Sequence, residues 1–359
     1  MISISLCMIV KNEEAVLSRC LKSCKNIFDE IIIVDTGSSD NTKNIAKQFT
    51  NKVYDFFWQD DFSLARNFSF SKATCDYIMW LDADDVIPAK SVKKLLELKE
   101  QLSTKNYDVI MAKYDISFDA NGKPNFSYFR ERILKKSCNF TWQDPVHEVI
   151  IPSGNIFYSN ISIEHRKIGQ NKKSNRNLKI YENLLKKGIK LNARQMYYYS
   201  RELMFNRKYK KAIISFNKFL KMPNIWTENA ISACIDLSNC YLQLSDNNNA
   251  KLNLIRSFYY DIPRAEALCK LADIYFNENN YQKACYWYNL ALKDKCNLTS
   301  GAFVQKIYYD VYPLLQLCVC YYYLGDIKKA KECNNKVGKI DSKIPVYVKN
   351  KALFDKLNV

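Results

Sequence analysis

What most restricts the fold of this chain is a pattern in its first third: short apolar runs that each empty into a polar cluster, separated by amphipathic stretches. Residues 3–10, 30–34, 53–57 and 77–81 are the apolar runs. Residues 14–24, 42–49, 62–73 and 88–102 are the amphipathic ones, with Pro88 suited to a first helical turn. Apolar runs without alternation suit strands covered on both faces, so the order predicts stacked β-α units around a largely parallel sheet. In such a sheet the polar ends gather along one edge, where ligands bind. The clusters brought there are Lys11-Asn12-Glu13, Asp35 to Asp40, Arg66-Asn67 and Asp82 to Asp85.

The texture changes after about residue 107. Residues 108–118 and 128–134 read as strands joined by a turn at 119–124, and 156–164 alternates like another strand. Between them a loop holds Trp142, Asp144, Val146, His147 and Glu148. A basic stretch, 166–176, leads into a helix at 178–187. Beyond about residue 190 the periodicity is helical only, with a recurring unit: Tyr209-x-x-Ala212, Asn247-x-x-Ala250, Tyr281-x-x-Ala284 and Ile327-x-x-Ala330. Offsets of 38 and 34 residues lie close to a tetratricopeptide repeat, and the last, 46, leaves room for an insertion. Pro223, Pro263 and Pro345 close three of the units. About four degenerate helical hairpins are predicted, with an irregular helical bundle as the alternative. A chain of 359 residues also exceeds what a single core usually spans. The layout expected is an α/β domain over 1–170, a basic linker and helix over 171–192, and an all-α repeat domain over 193–359.

The formal charge of +17 is unevenly placed: residues 1–170 hold 22 Lys+Arg and 22 Asp+Glu, residues 171–359 hold 32 and 15. That excess is either a solvated lysine surface or a site for an acidic partner. Thirteen cysteines with no C-x-x-C pair indicate neither a disulfide framework nor a zinc site, and they fit a reducing cytoplasm. The N-terminal apolar run breaks at Lys11 and reads as a first strand, not a secretory leader. Residues 311–324 are apolar but contain Pro313 and Gln316 and fall short of the ~18 residues a membrane span needs. A soluble cytoplasmic protein without a nucleic-acid partner is expected, with self-association through the repeats left open.

The fourth apolar run ends in three acids within four residues, Asp82-Ala83-Asp84-Asp85. Such acids repel one another and are stable together only in water or around a cation. In a strand, Asp82 and Asp84 would point to the same side. Through Val86 the run also satisfies the D-x-D-x-[TV] start of haloacid-dehalogenase-type phosphatases, although that fold places the motif after its first strand.

Four blocks then carry a resemblance in order and spacing: residues 8–13 (Met-Ile-Val-Lys-Asn-Glu), residues 33–42 from Ile33 through Asp35 to Thr42, Ala65-Arg66-Asn67, and Trp80-Leu81-Asp82-Ala83-Asp84. Over roughly 1–170 the chain resembles the inverting, family-2 nucleotide-sugar glycosyltransferases of the GT-A fold, a Rossmann-like mixed sheet. With Val146-His147-Glu148 and a tetratricopeptide-like tail, it is most similar to the branch of sublancin-type peptide S-glycosyltransferases, flagellin-modifying transferases and lipooligosaccharide glucosyltransferases. The resemblance implies that Val10, Asn12 and Glu13 lie beside the nucleoside, that Asp35 accepts a hydrogen bond from uracil, and that Arg66 lies near the nucleotide. It implies that Asp84 binds Mg²⁺ or Mn²⁺ and that Asp82 contacts ribose or metal-bound water, with His165 completing the metal shell. An inverting displacement needs a carboxylate within reach of the acceptor. Glu148 is chosen, with His147 orienting or contacting the acceptor; Asp144 is the rival, and Asp85, also considered, is left without a role. Trp142 reads as core. The expectation is a metal-dependent transferase moving a hexose or N-acetylhexosamine from a UDP-sugar to a peptide or protein hydroxyl or thiol. A surface-glycan acceptor is the alternative, and a non-catalytic repeat scaffold a distant one.

Overall fold

The computed structural model describes residues 2–118, 122, 124–168, 175–294 and 304–356, and divides into two compact units, Met1–Gly188 and Ile189–Val359. Most of the turn expected at 119–124, and much of the basic stretch at 166–176, lie outside the described residues. The division falls inside the segment read as a linker, and the helix after the basic stretch goes with the first unit.

In the first unit, β1 (Ile4–Val10), β2 (Glu30–Asp35), β3 (Val53–Asp55), β4 (Tyr77–Trp80), β5 (Asp85–Val86), β6 (Val109–Phe118), β7 (Pro124–Lys135) and β8 (Ile156–His165) form one sheet. Their order is β3-β2-β1-β4-β7-β6-β8-β5. The first four strands are mutually parallel, β7 runs antiparallel to β4 and β6, and β8 is parallel to β6. The sheet is therefore mixed: β6 and β8 run with the first four strands and only β7 and β5 oppose them, so the elaboration expected to be antiparallel is so only in part. Helices α1 (Leu17–Ser23), α2 (Thr42–Lys47), α3 (Phe62–Ser71), α4 (Ala89–Gln101) and α5 (Arg176–Lys186) accompany it. Strand β1 is buried almost throughout. Leu6 and Met8 pack on one side with Leu17, Leu21, Leu95 and Leu98, while Cys7 packs on the other with Val34, Phe70, Trp80 and Trp142. Burial on both faces is why these runs lack alternation. Trp142, expected in the core, is 3% exposed.

Two local expectations change. Strand β4 stops at Trp80, so Asp82 and Asp84 leave it in a turn and do not share a strand face. The chain then forms the two-residue strand β5, which pairs antiparallel with the end of β8, setting Asp85 opposite His165 and Val86 opposite Glu164.

The second unit is helical: α6 (Ala193–Phe205) with α7 (Tyr209–Phe219), α8 (Thr227–Gln243) with α9 (Asn247–Arg256), α10 (Ala265–Asn277) with α11 (Tyr281–Ala291), α12 (Val311–Tyr323) with α13 (Ile327–Ile340), then α14 (Pro345–Lys356). These are the four hairpins the repeat anticipates. Ala212, Ala250, Ala284 and Ala330 are each fully buried, the small side chain permitting close approach of the paired helices. Three second helices start alike, with Asp246, Asn280 and Asp326 each accepting the backbone N–H three residues on, a capping pattern that fixes the turn.

Candidate active site

The polar strand ends converge as the parallel order requires. One cleft of about 740 Å³ is lined by Val10 and Glu13 after β1, Thr36 after β2, Arg66 from α3, Asp82 and Asp84 after β4, His147 and Glu148 from the loop, and His165 at the end of β8. A second depression of about 540 Å³, around Asp76, Lys105 and Lys135, is lined by one carboxylate and no histidine. Asn12, Asp35 and Asp144 do not line the larger cleft.

Asn12 and Asp35 instead shape the turns after β1 and β2, beside Val10, Glu13 and Thr36 of its lining. Asn12, at φ 54°, accepts the Ser39 N–H on Oδ1 at 2.8 Å, and its own N–H donates to Ser38 Oγ at 3.0 Å. The Glu13 N–H donates to Thr42 Oγ1 at 2.7 Å, so the turns after β1 and β2 are tied together. Asp35 Oδ1 accepts the N–H groups of Gly37 and Ser38 at 2.9 Å each, while Oδ2 is buried with no partner. A buried carboxylate oxygen without a donor is costly unless a ligand supplies one.

Arg66 is the hub of the floor. Its Nη2 donates to Asp82 Oδ1 and its Nε to Glu148 Oε1, both at 2.7 Å. The guanidinium lies 5.1 Å from the Trp80 ring centroid and 4.7 Å from that of Trp142, which completes its burial. Burial would raise the Asp82 carboxyl, but Arg66, and after it Arg132, hold it down at about 2. Burial likewise disfavours charge on Arg66, and Asp82 and Glu148 overcome it, so the guanidinium stays protonated.

Asp85 has a structural role. It is fully buried beside an equally buried Arg132, whose Nη1 donates to Oδ2 at 3.0 Å. The Asp82 N–H reaches the same oxygen at 3.0 Å, and the Tyr114 hydroxyl donates to Oδ1 at 2.8 Å. The three acids therefore do not share one solvent or cation site. Arg132 neutralises Asp85 and Arg66 neutralises Asp82, while Asp84, which lines the cleft beside Asp82, lies against His165.

Asp84 Oδ1 lies 3.3 Å from His165 Nδ1, and these two with Asp85 bring ligand-capable atoms within 4.8 Å of one another. Contacts with Asp84 and Asp85 push the imidazole up to about 10. Across the cleft, burial, then Asp84, Asp82 and Asp40, push Glu13 up to about 7. The His165 imidazole thus carries a proton against Asp84, and a divalent ion binding there would have to displace it, since only the neutral ring is a ligand. A carboxylate oxygen and an imidazole nitrogen with room for further oxygen donors suit a divalent cation such as Mn²⁺ or Mg²⁺. The residues fit such an ion through Asp84 and His165, Asp82 being engaged by Arg66.

Trp58, Phe62, Arg130, Lys167 and Arg176, which no sequence motif marks, also line the cleft. Trp58 Nε1 donates to Asp60 Oδ1 at 2.9 Å and its ring meets Phe62 at 4.7 Å, while Arg176 lies 4.6 Å over Phe62. The Phe62 N–H donates to the Pro145 carbonyl at 2.9 Å, fixing this wall against the Val146-His147-Glu148 loop. Arg130 and Arg132 both lie over the Trp80 ring, at 4.9 and 3.8 Å, beside an irregularity in the β6–β7 register that period two does not anticipate.

Residues 5–159 match the family model "Glycosyl transferase family 2", and 155–298 match "SusR N-terminal TPR domain". The first unit thus carries a glycosyltransferase family 2 domain. The chain joins that domain to helical repeats of the tetratricopeptide type. Over 150 residues it is 35% identical to a TPR repeat-containing protein of Synechococcus elongatus, covering 42% of this chain and 36% of that one. It is 26% identical over 277 residues to the SPbeta prophage-derived glycosyltransferase SunS of Bacillus subtilis, covering 72% and 62%. An uncharacterized glycosyltransferase of Rickettsia prowazekii is 25% identical over 294 residues, 69% of this chain and 99% of that one. The chain therefore spans about a third of the first relative and under two-thirds of the second. Among solved structures, that of PilW, a type IV pilus biogenesis factor, aligns with 50% of this chain and 75% of its own at 17% identity and a TM-score of 0.40.

Proposed function

We propose that the chain is a metal-dependent, inverting glycosyltransferase that moves a hexose or N-acetylhexosamine from a UDP-sugar to a polypeptide hydroxyl or thiol. The observation that carries this is the arrangement of charge in one cleft: an ionised Asp82 clamped by Arg66, an Asp84–His165 pair, and a carboxylate, Glu148, on the far side of the same arginine. The unpartnered Asp35 Oδ2 is suited to an N–H donor such as that of uracil. Asp84 and His165 would hold the divalent cation, which when bound offsets the negative charge that develops on a leaving diphosphate.

Glu148 is the base in this reading. Arg66 occupies Oε1, which fixes the carboxylate and leaves Oε2 to take the acceptor proton. His147, at φ 55°, lines the cleft beside it and contacts the acceptor. Asp144, outside the lining, is the weaker candidate. A polypeptide acceptor is favoured by the attached helical repeats, which present extended surfaces to other chains.

The test is incubation with a panel of nucleotide sugars and Mg²⁺ or Mn²⁺, following nucleotide release. Release from UDP-sugars that chelator and Asp84→Ala both abolish supports the reading. Release indifferent to both removes the metal role, and full transfer by Glu148→Ala removes the base. Mass spectrometry of peptide and oligosaccharide acceptors then separates the two acceptor classes.

A further inference from the structure

The basic excess of the second unit is segregated between the two helices of each hairpin. The first helices, α6, α8, α10 and α12, carry three basic residues, Arg194, Arg201 and Lys270, against five acids. The second helices, α7, α9, α11 and α13, carry eleven basic residues against one acid, Glu332. A compositional bias toward lysine would load both sets alike. Eight of the eleven are exposed, among them Lys210, Lys211 and Lys218 on α7 and Lys328, Lys336 and Lys339 on α13.

The same helices expose large apolar side chains at one repeat position. Five residues after each helix start stand Ile214 on α7, Leu252 on α9 and Tyr286 on α11, exposed by 71%, 62% and 63%. Ile214, Leu252 and Tyr286 thus hold equivalent positions in consecutive repeats. Burying them in the protein's own core is not an option, since the buried faces of these helices are already filled by Ala212 and Phe216, Ala250 and Leu254, and Ala284 and Tyr288.

We propose that this second-helix face docks on an anionic lipid surface. Its exposed charge lies on α7, α11 and α13, and apart from Lys251 with Glu278 and Lys329 with Asp326 few acids stand near it, which matches delocalised negative charge better than a single acidic side chain or phosphate. Isolated apolar side chains between lysines are the pattern of peripheral attachment, in which apolar groups enter the headgroup region while lysines meet anionic lipids. A helix rich in exposed lysine also keeps its charged heads in water while its stems cover apolar surface.

The test is co-sedimentation of the full chain with vesicles of phosphatidylcholine alone or with 30% phosphatidylglycerol, at about 50 and 500 mM salt. Binding is expected only with phosphatidylglycerol and falls steeply at the higher salt. The triple variant Lys210→Glu, Lys211→Glu, Lys218→Glu should lower partitioning about 100-fold, from the contribution of each lysine near a charged surface. A control with the same charge change on the first unit, Lys22→Glu, Lys47→Glu, Lys90→Glu, should shift it less than threefold. Leu252→Ser with Ile214→Ser should remove most of the binding that survives at high salt. All variants should keep the parent melting temperature. Equal binding to neutral vesicles, or equal losses in both triple variants, overturns the proposal. So does retention of poly-glutamate or duplex DNA at concentrations where vesicles are not bound.

Discussion

Asp85 and Arg132 form a buried ion pair whose two halves differ in how they fail when separated. Both side chains are fully buried, and Arg132 Nε and Nη2 have no hydrogen-bond partner; its remaining support is the Nη1 bond to the Trp80 carbonyl at 3.1 Å and stacking 3.8 Å over Trp80 and 4.4 Å over Tyr114. Asp85→Asn strands a guanidinium that cannot lose its proton, so it should cost the ~3–5 kcal/mol of a broken buried pair. Arg132→Met leaves a carboxylate that still accepts from Tyr114 and the Asp82 N–H and can take up a proton, so it should cost about 2 kcal/mol. The double variant should be less destabilised than the sum by about 2 kcal/mol, because no lone charge remains. For a unit of this size each kcal/mol moves a melt by roughly 2–4 °C, so Asp85→Asn alone should lower it by about 6–20 °C. Thermal and urea unfolding followed by tryptophan fluorescence, with Trp80 inside the cluster, measures all four corners of the cycle. Single costs that add to within ~0.5 kcal/mol, or an Arg132 change worse than the Asp85 change, would refute the reasoning.

Three further outcomes are expected. Asp84→Ala and His165→Ala should each weaken Mn²⁺ binding at least tenfold in calorimetry, whereas Asp144→Ala should leave it within twofold; equal effects at all three positions would mean the ion sits elsewhere. Burial alone would raise Glu30, but Lys52, Ser5 and Thr74 hold its carboxyl down at about 2. A depressed folded value stabilises above the unfolded one, so up to ~3 kcal/mol should be present above pH 4.5 and lost between pH 4.5 and 2, and Glu30→Gln should flatten that part of the acid melt. In the second unit, Ala284→Leu should destabilise by about 1–3 kcal/mol through overpacking between α10 and α11, and a neutral result in chemical unfolding would contradict the close approach assigned to the repeat alanines.

The parts of the fold visible in the sequence are those whose cause is local. Strands β1, β2 and β4 are apolar because both faces are covered, and α3 and α4 are periodic because one face is, so burial writes directly into the order of residues. Convergence of the four polar ends follows from parallel order and needs no long-range knowledge. Strand β5 was hidden because two residues carry no period, and its existence depends on pairing with the end of β8, about 80 residues away. Arg132 was hidden because Arg130-Glu131-Arg132 reads as a solvated stretch until Asp85 is brought against it. Trp58 was missed because it follows Phe56 and Phe57 directly and passes for the end of the apolar run at 53–57.

Asp85 shows what those hidden pieces do together. By pairing β5 with β8 it sets His165 at the cleft, and by accepting the Asp82 N–H it fixes the turn from which Asp82 and Asp84 diverge. Two of the three acids are thus held by their own arginines, and Asp84 meets His165 at the cleft. A change at Asp85 should therefore reach metal affinity through geometry, raising the Mn²⁺ dissociation constant in Asp85→Asn although neither Asp84 nor His165 is altered. If Mn²⁺ bound that variant as tightly as the parent while its melt fell as worked out above, β5 would be stabilising the sheet without positioning the site.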